Sequence, residues 1–283
     1  LVYHPLNTAY RESELRYFIE NAEPKIAICD TSGEELFRKL GAPNGIAIHT
    51  LDRDGSGTLS KEAANASPIL ETAIVAGNSM AALLYSSGTT GQPKGIVLSH
   101  DNLRSSAETL TDYWGFTSED CLLHALPIYH VHGLFVASGC VLLSGASMRW
   151  HNHFEATAVA EDLVNSSVMM GVPTFYTRLL NLNSFGVDNC PDVRLFISGS
   201  APLLPDTFIE FEQRTGQRIL ERYGMTETSM NTSNPLHGVR KAGTVGPALP
   251  GVEVRVVDDT GDIIEDTETG NLQVRGNNVF SGY

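Results

Sequence analysis

A chain of 283 residues, 42% hydrophobic and 18% charged, can bury a sizeable core, which excludes an extended disordered polymer. Nineteen Lys and Arg against 33 Asp and Glu leave a net charge of −14, and without a Lys/Arg cluster such a surface repels nucleic acid and anionic lipid. No apolar run approaches the ~18–20 residues of a membrane span, so neither nucleic acid nor membrane is an expected partner.

The start, Leu1-Val2-Tyr3-His4-Pro5, lacks the basic and apolar regions of a signal peptide. The cysteines at 29, 121, 140 and 190 form no CxxC pair, so neither a disulfide framework nor a cysteine zinc site is expected. Both observations fit a reducing cytoplasm.

In chain order, Leu15, Phe18 and Ile19 share one helical face, and Ala22-Glu23-Pro24 ends that helix before a strand over 25–29. A helix over 34–40 and a strand over 45–51 follow. The stretch 52–79, rich in Asp, Gly, Ser, Ala and Asn, is expected to be disordered. Within it, Asp52 to Ser60 fits an EF-hand loop at positions 1, 3, 5, 6, 8 and 9. Position 12 is Ala63, with Glu62 one place early, and a strand rather than a helix precedes the loop, so calcium is not expected.

Further strands are predicted at 81–86, 121–126, 167–172 and 193–198, with helices at 101–113, 155–165, 173–181 and 204–215. This alternation predicts an α/β fold of layered, mostly parallel sheets flanked by helices. After residue 240 the pattern changes. Period-two alternation over 252–257 and 271–275, with a turn at Asp259-Thr260-Gly261-Asp262, predicts a small antiparallel β-barrel-like subdomain. The expected division is a layered core at 1–239 and a β unit at 240–283.

Two segments carry chemistry. The strand Leu83-Leu84-Tyr85 runs into Ser86-Ser87-Gly88-Thr89-Thr90-Gly91-Gln92-Pro93-Lys94-Gly95. Glycines let backbone N–H groups approach an anion, hydroxyls add donors and lysine adds charge, a combination suited to polyphosphate. It is not a Walker A loop, because Pro93 and Gly95 stand where Gly and Ser/Thr belong; the competing reading is a Gly/Ser surface turn. The second segment, Leu220 to Thr228, delivers Arg222, Tyr223, Thr226 and Glu227 at a strand end, where open α/β sheets bind ligands. Tyr223 could cover a purine and Glu227 could hold Mg²⁺ beside phosphates, against the alternative of a turn with a salt bridge. The paired histidines 130 and 132, and 151 and 153, have no third ligand nearby, and no serine forms a GxSxG elbow.

Together these segments resemble the acyl-adenylate-forming (AMP-binding) superfamily over essentially the whole chain. The run from Tyr85 to Gly95, the run from Ser198 to Pro202 and the run from Tyr223 to Glu227 occur in that family's order. Among its members the chain most resembles malonyl-CoA synthetases, on Pro5 to Tyr10, Pro127 to Phe135 and Glu221 to Pro235. The resemblance implies ATP, Mg²⁺ and coenzyme A as reactants, and malonate or methylmalonate as the acid activated through an acyl-adenylate. Alternatives are a short- or medium-chain monocarboxylate synthetase and a non-catalytic nucleotide-binding module.

The residue roles implied are as follows. Ser86, Ser87, Gly88, Thr89, Thr90, Gly91 and Lys94 would embrace the ATP phosphates. Gly199, Ser200 and Ala201 with the ring of Tyr223 would sandwich adenine, beside Gly224. Thr226 would bond the α-phosphate and Glu227 would hold Mg²⁺. His130 would line the wall between the acyl and nucleotide sites, with Ser198 and Met225 in the substrate pocket. Arg222 would receive the second carboxylate of malonate. The resemblance also implies that the family's ribose-binding Asp and its mobile lysine-bearing C-terminal domain lie beyond these 283 residues. The chain thus reads as a piece of the large N-terminal domain, expected to bind nucleotide weakly and to make little acyl-CoA unaided.

Overall fold

A computed structural model describes residues 1–68, 71–86, 92–264 and 269–283. They group into two units, residues 6–74 and residues 1–5 with 75–283.

In the smaller unit, helix α1 (Glu12–Ala22) buries Leu15, Phe18 and Ile19 as its periodicity predicts. Glu23, at φ 45°, closes it with a bond from its N–H to the Ile19 carbonyl, and Pro24 prevents continuation. Strands β1 (Ile26–Cys29) and β2 (Ala47–Thr50) pair in parallel around helix α2 (Glu34–Gly41). Leu15, Ile19, Leu40 and Ile46 form the core.

The disorder expected over 52–79 is overturned at residues 58–65, which form helix α3 (Thr58–Asn65). None of its residues is buried, so no amphipathic stripe announced it. A reciprocal pair of hydrogen bonds anchors its start: Thr50 N–H donates to Thr58 Oγ1 at 2.8 Å, and Thr58 N–H donates to Thr50 Oγ1 at 3.0 Å. Gly57, at φ 136°, permits the approach, since a Cβ there would lie 2.2 Å from the Thr50 carbonyl oxygen. Replacing Thr58 with alanine should cost about 1 kcal/mol, read as a lower urea midpoint that Thr58→Ser largely restores.

The larger unit opens with the antiparallel pair β3 (Met80–Ser86) and β4 (Lys94–Ser99), the latter not anticipated, with Ser86 opposite Lys94. Ser99 caps helix α4 (His100–Tyr113). Strand β5 (Cys121–His124), a π-helical turn at 132–137, helix α5 (Ser138–Ser144) and strand β6 (Ser147–Trp150) follow. Next come α6 (Ala156–Asp162), β7 (Val168–Gly171), α7 (Pro173–Leu180), β8 (Leu195–Ser198), α8 (Pro205–Thr215), β9 (Leu220–Met225) and β10 (Ser229–Ser233). The chain then forms the hairpin β11 (Val252–Val257) and β12 (Asn271–Gly276).

The central sheet runs β10-β9-β8-β7-β5-β6, parallel throughout except for β10. Alternate side chains enter opposite cores, which is why these strands read as unbroken apolar runs. Leu122, Val168, Met170, Leu195 and Ile197 pack with Trp114 and Leu110 on one face. Leu123, Met169 and Phe196 pack with Tyr176 and Phe211 on the other. The late strands form a two-stranded hairpin among the described residues, and residues 240–283 belong to the larger unit. The last residues are stitched back onto the front of that unit, Asn102 Nδ2 donating to the carbonyls of Asn277 at 2.8 Å and Val279 at 2.9 Å. All four cysteines are free thiols, and among the described residues no helix is long and apolar enough to cross a membrane.

Candidate active site

The carboxyl ends of β7, β8 and β9 converge, as parallel sheets require of their ligand-binding edge. Gly171 pairs with Ser198, and Ser198 with Glu221. Side chains alternate along β9, so Glu221 and Arg222 leave on opposite faces. Glu221 Oε1 accepts from the N–H of Gly243 at 3.1 Å. Arg222 is only 3% exposed, and its Nε and Nη2 have no hydrogen-bond partner among the described residues. Its guanidinium lies flat against Gly199, where a Cβ would fall 2.4 Å from Cζ, so only glycine allows the approach.

Burial lowers the Arg222 pKa to about 10, which still leaves the group cationic at neutral pH. Around it stand Tyr176, whose hydroxyl donates to the Ile197 carbonyl at 2.6 Å, and His132. Burial holds His132 well below the usual histidine range, and the Arg222 charge pushes the same way, so its ring is neutral. Its Nδ1 lies 3.3 Å from Ser200 Oγ, while its Nε2 and the Ser198 hydroxyl are buried without partners among the described residues. Ser200 sits at φ 69°, a conformation non-glycine residues rarely adopt. A desolvated cation without a partner is costly. Donors gathered around it form a receptor for an anion.

A second group lies on the turn between β9 and β10. Gly224 is fixed by crowding, since a Cβ there would lie 1.9 Å from the Ser229 carbonyl oxygen. Tyr223 is half-buried with its hydroxyl 3.9 Å from the sulfur of Met225, which is exposed. Thr226 is half-buried in the turn, and Glu227 is buried. Glu227 Oε1 accepts from the Tyr283 hydroxyl at 3.2 Å, and Lys94 Nζ lies 5.1 Å from the centre of the Tyr283 ring. Lys94 and Glu227, predicted from separate segments, thus meet through one aromatic side chain.

Ser86 stands directly opposite Lys94 at the head of the β3–β4 pair. Ser87, Gly88, Thr89, Thr90 and Gly91 lie outside the described residues. His130 is exposed, its ring 4.6 Å from that of Tyr129. Its neighbour His132, weighed in the sequence only as half of a histidine pair, enters the core beside Arg222. Gly133, which follows it in the π-helical turn, is packed so closely that a Cβ there would lie 2.4 Å from the Pro127 carbonyl oxygen. Among the described residues no three His, Cys, Asp or Glu side chains cluster as a metal site.

A family model described as AMP-binding enzyme matches residues 1–283. The chain belongs to the AMP-binding enzyme family. The malonate–CoA ligase of Arabidopsis thaliana is 34% identical over 99% of this chain and 49% of its own length. The mitochondrial malonate–CoA ligase ACSF3 of Xenopus laevis is also 34% identical, over 99% of this chain and 54% of its own. The ATP-bound crystal structure of MatB from Rhodopseudomonas palustris superposes with a TM-score of 0.97 at 52% identity, covering 100% of this chain and 56% of that one. This AMP-binding enzyme chain therefore spans about half the length of the relatives it matches.

Proposed function

We propose that the protein of which this chain forms the nucleotide- and acid-binding part ligates malonate, or its methyl-substituted homologue, to coenzyme A at the expense of ATP. The observation that carries this reading is the buried Arg222 guanidinium with two unpartnered nitrogens. An acid with a second carboxylate supplies the missing counter-charge. A monocarboxylate would lay an alkyl end on a cation and leave its N–H groups unpaired, which is why a short-chain fatty acid fits less well. The relatives named as malonate–CoA ligases support the same choice.

In this reading the reacting carboxylate attacks the α-phosphorus of ATP and pyrophosphate leaves. The thiol of coenzyme A then attacks the mixed anhydride and AMP leaves. Arg222 and neutral His132 fix the distal end of the acid, which places the reacting end for in-line attack. Lys94 and Ser86 at the head of the hairpin contact the phosphates, the role the family resemblance also implies for Ser87, Gly88, Thr89, Thr90 and Gly91. Tyr223 and the backbone of Gly199 to Ala201 flank adenine, beside Gly224. Thr226 bonds the α-phosphate, His130 and Met225 line the approach, and Ser198 backs the acyl pocket. Glu227 would hold Mg²⁺, which supplies charge neutralisation to the phosphates when bound. Residues 240–283 supply a β subdomain beside this site, and the free thiols suit the cytoplasm as its compartment.

Calorimetric titration with non-hydrolysable malonyl- and acetyl-adenylate analogues tests the proposal. Charge-assisted bonds of ~1.5–3 kcal/mol each predict malonyl binding tighter by about 10- to 150-fold. Equal affinities would discard malonate. Absence of binding by either analogue would remove the adenylate site from this chain.

A further inference from the structure

We infer that Tyr283 is a positioning residue for the Mg²⁺-nucleotide site, holding Glu227 and Lys94 in register with one another. This rests on the reading of Glu227 as metal-holding and Lys94 as phosphate-contacting. Among the described residues, neither side chain bonds to its own sequence neighbours. Lys94 is a flexible ammonium at the first residue of β4, and Glu227 sits on a turn. Both contacts that tie them together come from a segment distant in sequence.

That segment is clamped at both sides. The Phe280 N–H donates to the Glu227 carbonyl at 2.7 Å, and Asn278 Nδ2 donates to the Thr228 carbonyl at 2.7 Å, so it is fastened to the turn that carries the carboxylate. The Val97 N–H donates to the Gly282 carbonyl at 3.2 Å, so it is fastened equally to the strand that carries Lys94. Tyr283 stands where the two fastenings meet, its ring 5.0 Å from that of Phe280. Its hydroxyl then donates to Glu227 Oε1 and its π-face receives the Lys94 ammonium.

The chemistry divides the side chain in two. The hydroxyl engages one oxygen of the carboxylate, which fixes the rotamer and leaves Oε2 for a cation. The ring gives Lys94 a preferred direction without neutralising it, as an ion pair with Glu227 would. Loss of the hydroxyl should therefore affect the metal, and loss of the ring should affect the phosphates as well.

The test is binding of a fluorescent ATP analogue to the purified chain, titrated with Mg²⁺ and also measured in EDTA, for wild type, Tyr283→Phe, Tyr283→Leu and Glu227→Gln. Thermal melts of each variant report whether the fold is kept. Tyr283→Phe should raise the half-saturating Mg²⁺ concentration by about threefold to tenfold while leaving affinity in EDTA unchanged. Tyr283→Leu should show the same metal shift together with an affinity in EDTA weakened by about twofold to fivefold. A Tyr283→Phe curve superimposed on wild type, with Glu227→Gln shifted, overturns the role of Tyr283 and keeps Glu227 as the metal holder. Curves unmoved by both variants overturn the inference and the reading of Glu227 together.

Discussion

Arg222→Met should erase the preference for malonyl- over acetyl-adenylate and, in the same protein, raise the melting temperature. The two effects follow from one fact. A guanidinium that is 3% exposed, with Nε and Nη2 unpartnered among the described residues, is a desolvated charge held without compensation until an anion arrives. Replacing such a group by an apolar side chain of similar reach typically stabilises by about 1–4 kcal/mol. At roughly 2–4 °C per kcal/mol for a chain of this size, the gain is several degrees. The selectivity lost should be about 10- to 150-fold, carried almost entirely by weaker malonyl binding. Calorimetry and a thermal melt on the same preparation check both. A melting temperature that falls, or a preference that persists, would mean that Arg222 braces the sheet and does not receive the acid.

Acid should destabilise the fold well before its carboxylates titrate. His124, at the end of β5, is 1% exposed with its ring 4.6 Å from that of Trp150, and burial lowers its pKa to about 4. The unfolded value is ~6.5. Between those values the unfolded chain binds the proton and the folded chain does not. The stabilisation is therefore fully present above pH ~6.5 and drains away as the pH falls toward 4. At ~1.4 kcal/mol per unit the loss from His124 alone is on the order of 3 kcal/mol. His132, held well below the usual histidine range by burial, adds to it in the same direction. The measurement is urea unfolding from pH 7 to pH 4 for wild type and His124→Phe. The variant should show a pH slope shallower by that amount. Parallel slopes would place the acid sensitivity elsewhere.

What could be read from sequence was decided by where each segment's partners lie. β7 and β8 were legible because a strand buried on both faces needs apolar residues at every position, and Val168-Met169-Met170 and Leu195-Phe196-Ile197 supply them. β10 was not, because Ser229-Met230-Asn231-Thr232-Ser233 is fully buried yet largely polar. Two of its side-chain oxygens find donors from far along the chain, the Trp114 indole N–H donating to Ser233 Oγ at 3.0 Å and Asn278 Nδ2 donating to Asn231 Oδ1 at 3.2 Å. The segment 132–144 was missed because Gly133, Gly139 and Gly145 punctuate it like a loop. In the structure Gly139 serves packing, since a Cβ there would lie 3.0 Å from that of Ala107. In the site, Arg222, Tyr223 and Glu227 were visible as a dense polar run at a strand end. The roles of His132 and Tyr283 were not, because each depends on a partner supplied by another element.

The contact between Gly199 and the Arg222 guanidinium binds two kinds of selectivity to a single stretch of backbone. Gly199 lies against the Arg222 cation, and in the proposed function residues 199–201 border the base of the nucleotide. Under the proposed function, a redesign that swaps which acid is accepted by altering this stretch should disturb ATP recognition at the same time. The separable handle under that proposal is helix α7, whose Tyr176 lies within electrostatic reach of the guanidinium from outside that stretch, so a change in the acid accepted is best begun there.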